Sequence, residues 1–178
     1  MANESWRRMD FSHLMCFAVK YSNPTKTAKI KAIYTLPNRP TTIHKVLIVD
    51  DEPILLSKLE AVVKRKLGTM VLKIDPKGNL PIEQQVRRII EEEAPDMALM
   101  DYHLGKAGDG QELTGIKLIH EMRAGGFTGY IVANSTDPVL NWEMTDNGAD
   151  FAVFEKYRSG DKANKLSSFL RKYVTVRK

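Results

Sequence analysis

Cysteine is almost missing from this sequence: Cys16 is the only one in 178 residues. A lone thiol cannot close an intrachain disulfide, and that usage fits a reducing cytoplasm. Long apolar runs are missing too, since nothing approaches the roughly 20 residues needed to cross a bilayer as a helix. The stretch "HLMCFAV" is preceded by Arg7, Arg8 and Asp10 and followed by Lys20, with no small-residue cleavage pattern, so no signal peptide is expected. There is no internal repeat and no low-complexity tract. Residues 45–178 also lack a net charge, holding 20 basic against 20 acidic side chains. The formal +5 of the chain sits in residues 1–44, where Arg7, Arg8, Lys20, Lys26, Lys29, Lys31 and Arg39 face only Glu4 and Asp10. A basic arm of this kind is either a solvated extension or a contact for nucleic acid or anionic lipid.

What is present begins at residue 45. Before it, residues 1–44 read as an extension of uncertain structure, with a short edge strand in "KIKAIYTL" and a proline-bearing linker in "LPNRPTT". After it the pattern turns regular, and the length suffices for one ordinary domain with a core. "KVLIVD" is a short apolar run of the kind buried on both faces of a parallel sheet. Pro53 then opens a stretch with apolar residues at helical spacing, "PILLSKLEAVVKRKL". Strands follow in "MVLKID", "DMALMD", "GYIVANS" and "DFAVFEK", and helices in "PIEQQVRRIIEEEA", "GIKLIHEMRAG", "PVLNWEMTDNG" and "DKANKLSSFLRKYV". Strand and helix alternate throughout, which predicts an α/β fold with a parallel sheet covered on both faces.

Chemistry gathers at the carboxyl ends of strands in such sheets. Asp50 and Asp51 end the first strand, Asp101 the third, Ser135 the fourth and Lys156 the fifth. Two like charges about 4 Å apart repel by roughly 4 kcal/mol at an effective dielectric near 20. If the first, third and fourth strands are neighbours, three carboxylates meet on one rim. A divalent cation with hard oxygen ligands, Mg²⁺ for preference, resolves that repulsion.

"VLIVDDEP", "PDMALMDYHL", "IVANS" and "FEK" together resemble the signature set of the receiver domain of two-component response regulators. The resemblance covers residues 45 to about 175. It implies a flavodoxin-like, five-stranded parallel sheet of order 2-1-3-4-5 with helices on both faces. It makes Asp101 the phosphoacceptor. It gives Mg²⁺ to Asp50, Asp51, Asp101 and the backbone carbonyl of His103, and it assigns the phosphoryl oxygens to Ser135 and Lys156. The switch aromatic would be Phe151 or Phe154, or be absent. The implied partners are a sensor histidine kinase or a histidine phosphotransfer protein, and a downstream protein met by the fourth helix, fifth strand and closing helix. The same partner set admits a homodimer. With no output motif in the sequence, the expectation is a stand-alone, cytoplasmic, chemotaxis-type receiver that catalyses only its own phosphorylation and dephosphorylation. Two other readings stay open: a phosphorelay shuttle or phosphate sink, and a DNA- or membrane-associated regulator acting through the basic arm.

The sequence departs from the family pattern in places. "YHLGKAGDGQELTG" after Asp101 is longer than usual and holds four glycines, which predicts a mobile loop beside the acceptor. Leu104-Gly105 replaces the common Met-Pro, and Tyr157 stands where proline is usual. Glu112 and Asp109 on that loop are the nearest candidates for a hydrolytic base. His120 reads as an ordinary helix residue, and Trp142 as either a contact or a packing residue.

Overall fold

The computed structural model describes residues 16–20, 29–33, 43–153 and 162–173. Strands β1 (Cys16–Lys20) and β2 (Lys29–Ile33) pair antiparallel in a two-stranded sheet of their own. The strand expected in "KIKAIYTL" is thus β2, and its partner is β1 rather than the edge of the main sheet.

The main sheet contains β3 (Lys45–Val49), β4 (Met70–Lys73), β5 (Met97–Met100), β8 (Tyr130–Ala133) and β9 (Phe151–Ala152). Its spatial order is β4-β3-β5-β8-β9, and all neighbouring strands pair in parallel. Counting only its own strands, this is the flavodoxin-like order 2-1-3-4-5. The three central strands are apolar along their length because no face meets water: Val46–Val49, Met97–Met100 and Tyr130–Ala133 are all buried. Helices α1 (Pro53–Leu67), α2 (Ile82–Glu93), α3 (Gly115–Ala124), α4 (Pro138–Asp146) and α5 (Lys162–Tyr173) cover the sheet. Among the described residues, none of these helices is long and apolar enough to cross a membrane. Helix α1 buries Leu56, Leu59, Val62, Val63 and Leu67 and lies against α5, whose Leu166 and Leu170 are buried. Pro53 occupies its first turn as expected, and Gly68 closes it in the left-handed region with φ 64°.

The glycine-rich segment after Asp101 is not the loop that composition suggested. It forms a β-hairpin, β6 (His103–Lys106) against β7 (Glu112–Thr114), antiparallel with an irregular register. Leu104 and Leu113, one on each strand, are 1% and 0% exposed and anchor it in the core. The turn is closed by Ala107 N–H donating to Gln111 O at 2.8 Å and Gly110 N–H to Ala107 O at 2.9 Å. Glu83, in the first turn of α2, accepts the Gly108 N–H on Oε1 at 2.7 Å. Its other carboxylate oxygen is buried without a hydrogen-bond partner. Glu83→Ala is therefore expected to destabilise only modestly, by about 1 kcal/mol. The same change should speed hydrogen exchange at Gly108 and Gly110 well beyond that at Leu99. Uniform acceleration across all three amides would count against a local role.

Candidate functional site

The sheet register sets up the site. Val49, Met100, Ala133 and Ala152 are partners across β3, β5, β8 and β9, so they form one rung. The next residue of each strand leaves the sheet at the same edge: Asp50, Asp101, Asn134 and Val153. The ladder continues past the rung, with Asp101 N–H donating to Val49 O at 2.9 Å, Asn134 N–H to Met100 O at 2.8 Å and Val153 N–H to Ala133 O at 2.9 Å. Neighbouring strands lie close to 5 Å apart, so the residues just beyond the rung are forced together.

One carboxylate oxygen from each of Asp50, Asp51 and Asp101 lies within 4.8 Å of the other two. Asp50 and Asp101 are 1% and 8% exposed, while Asp51 is exposed. Asp50 Oδ1 accepts the Glu52 N–H at 3.0 Å, which fixes the turn from β3 into α1. At that separation each charge pair repels by about 3 kcal/mol even at an effective dielectric near 20. Hard, anionic, oxygen-only donors of this kind suit Mg²⁺.

Two glycines keep the backbone close to this cluster. Gly115, the first residue of α3, donates its N–H to Tyr102 O at 2.7 Å. A Cβ added to Gly115 would stand 2.2 Å from the Asp101 carbonyl oxygen and 3.0 Å from Met144 Sδ. Gly105, on β6, has φ 74°, and a Cβ there would lie 3.6 Å from Asp51 Oδ2. The hairpin thus runs alongside Asp51. His103, its first paired residue, is exposed, and its Nδ1 lies 3.6 Å from Glu112 Oε1. Tyr102, half-buried, meets the His103 ring edge-on at 4.9 Å. Burial pushes the Tyr102 hydroxyl above its ordinary pKa; the negative charges of Glu143 and Glu112 and a hydrogen bond to Glu143 add to it.

Ser135 is 5% exposed, just beyond β8. Its Oγ accepts the Asp137 N–H at 3.2 Å, and Asp137 in turn caps α4 by accepting the Val139 N–H at 2.8 Å. The Ser135 backbone is gripped by Asn141 of α4: Ser135 N–H donates to Asn141 Oδ1 at 2.7 Å, and Asn141 Nδ2 donates to Ser135 O at 2.9 Å. A third bond runs from Asn141 Nδ2 to Val153 O at 3.3 Å.

Of the residues singled out in the sequence, the structure gathers Asp50, Asp51 and Asp101 into one cluster and sets Ser135 beyond the adjacent strand end. Lys156, Phe154 and Tyr157 lie outside the described residues. Phe151 is half-buried in an aromatic row, 5.8 Å from the Tyr130 ring and 6.4 Å from that of Phe169. His120 is an exposed residue of α3, and Trp142 is half-buried on α4. Sequence reasoning missed Asn141, Gly115 and the hairpin. Asp109-Gly110 between Leu104 and Leu113 was a readable hairpin signal; Asn141 three residues before Met144 was a buried helical stripe with a polar member.

No protein-family model and no curated protein sequence matches the chain. Solved structures do. A response regulator from Thermotoga maritima aligns with 74% of this chain and 98% of its own, at 16% identity and a TM-score of 0.52. The beryllofluoride-activated DrrB receiver domain aligns over 75% and 98%, at 14% identity and a TM-score of 0.52. The response regulator TrrA from Thermotoga maritima, in complex with Mg(2+)-BeF, aligns over 72% and 100%, at 16% identity and a TM-score of 0.51. The fold of this chain is that of response-regulator receiver domains.

Proposed function

We propose that this receiver-fold chain is a phosphoacceptor module of a two-component or phosphorelay system, in which Asp101 takes a phosphoryl group and the modified rim alters a protein-binding face. The observation that carries the reading is the cluster of Asp50, Asp51 and Asp101 at the carboxyl edge of a receiver sheet. Asp50, Asp51, Asp101 and the carbonyl of His103 would hold Mg²⁺. When bound, that ion supplies charge neutralisation to the incoming phosphoryl oxygens.

The chain's own residues do the rest. A carboxylate oxygen of Asp101 forms the new bond to phosphorus as the bond to the donor's nitrogen or oxygen breaks. The backbone bond from Asp101 N–H to Val49 O and the close seat of Gly115 hold the Asp101 main chain in place for that attack. Ser135 donates its hydroxyl proton to a phosphoryl oxygen, and Lys156 pairs with the added charge. The donor is a histidine of a sensor kinase or of a phosphotransfer protein, or a small acyl phosphate. Output passes through the face of α4, β9 and α5 to a protein partner.

Incubation with acetyl phosphate and Mg²⁺ followed by intact mass measurement tests this. The expected result is a gain of one phosphoryl group in the wild type, none in Asp101→Ala and none in the wild type with EDTA. Beryllofluoride titration covers a short-lived adduct, with binding expected in the wild type and absent in Asp101→Ala. Failure of the wild type to take either group would overturn the assignment.

A further inference from the structure

We infer that Asn141 is the positioning residue that makes Ser135 and helix α4 move as one body, so that occupancy of the acidic site is transmitted to α4 through a single buried amide. The inference rests on the phosphoacceptor reading above and names the regulation of that site.

Helix α4 is short, and only two of its side chains are buried, Asn141 and Met144. Both anchors meet segments of the site. Met144 Sδ lies against Gly115, which sits on the Asp101 carbonyl. Asn141 is 1% exposed and spends its acceptor on Ser135 N–H and its donors on Ser135 O and Val153 O. That amide therefore spans the ends of β8 and β9, the first of which leads directly into Ser135. On the outer side, Glu143 reaches Tyr102, the residue after Asp101. The remaining contacts of α4 with water are extensive, since Pro138, Val139, Glu143 and Asp146 are exposed.

The consequence is mechanical. A buried amide with both ends bonded cannot let go cheaply, because each abandoned donor or acceptor would be left dry. Any shift of the Ser135 backbone toward a group on Asp101 must then either break the Asn141 bonds or carry α4 along. Carrying α4 preserves both bonds to Ser135 and strains only the longer one to Val153 O, so that is the path taken. Two packed arrangements, rather than a continuous bend, are the expected outcome.

Trp142, the neighbour of Asn141 on α4, makes the motion readable. The test uses the full chain with Trp6→Phe, so that Trp142 alone reports, titrated with beryllofluoride in the presence of Mg²⁺. Binding is followed separately by calorimetry. In the parent, Trp142 emission and the Asn141 side-chain amide resonances should change together along the binding curve. Asn141→Asp keeps the acceptor for Ser135 N–H but loses both donors. Calorimetry fixes the concentration at which it saturates with beryllofluoride, and the Trp142 response at that saturation should fall at least about fivefold.

An Asn141→Asp protein that stays folded and keeps the full Trp142 response overturns the inference. So does a parent in which beryllofluoride binds while the Asn141 amide resonances stay still, a result that needs no variant to fold. In both cases the phosphoacceptor reading survives. A parent that binds no beryllofluoride overturns both.

Discussion

Gly115→Ala is expected to destabilise the protein by about 3 kcal/mol or more, the reverse of what the substitution does in an ordinary helix. Alanine is the better helix former by roughly 0.5–1 kcal/mol, and Gly115 is not among the residues with positive φ, so no backbone strain would be created. The cost is steric. The new methyl would sit 2.2 Å from the Asp101 carbonyl oxygen, backbone that cannot swing aside, and 3.0 Å from Met144 Sδ. Relief requires α3 to retreat from β5 or the peptide after Asp101 to turn. Urea unfolding should show a lower midpoint with unchanged slope. Any folded fraction should bind beryllofluoride more weakly, because Asp101, a member of the acidic cluster, is the displaced residue. A neutral or stabilised Gly115→Ala would mean that the close approach is not a constraint on the site.

Arg123→Ala should cost about 2–4 kcal/mol without touching the acidic cluster. The Arg123 guanidinium donates to Phe127 O at 2.7 Å, Gly129 O at 2.9 Å and Asp150 Oδ2 at 2.7 Å, and it stands over the Phe127 ring at 5.7 Å. Asp150 Oδ2 also accepts the Ile131 N–H at 2.7 Å. One side chain thereby joins the end of α3, the approach to β8 and the approach to β9. Both partners of the ion pair are mostly shielded, with side chains 23% and 17% exposed, so the pair is worth more than a surface bridge. Arg123→Lys keeps the charge but loses the planar fork, and should recover less than half of the loss. Chemical denaturation of the three proteins checks this, and beryllofluoride affinity should stay near that of the wild type in both variants. Equal stability of Arg123→Ala and the parent would remove the guanidinium from the account.

Much of the sheet was legible because its central strands are buried on both faces, leaving unmixed apolar runs such as "VLIV" and "MALM" that end on charged residues. Position in the sheet was not written in those runs; the order came from a resemblance. The carboxylates were legible for the same reason, since a charged residue directly after such a run marks where the strand leaves the core. The hairpin was misread because its glycines, a signal of freedom by composition, serve here as turn and close-approach residues, while the two leucines that bury it are spaced too widely to show a period. Asn141 was missed for a different reason: its spacing from Met144 marks a helical stripe but not that the stripe is buried. In a polar helix that spacing alone does not tell which face turns inward, and the structure reveals that the amide does.

The hairpin is closed at its base, where Gly115 N–H meets Tyr102 O at 2.7 Å. Its two ends leave and rejoin the domain at adjacent points, so the segment between them is a cassette. A tip from another protein grafted between Ala107 and Gln111 would keep the anchoring leucines and leave the strand on which Asp101 rides undisturbed. Recognition chosen at that tip would then be inherited separately from the chemistry, and lineages or engineers alike could exchange one without rebuilding the other.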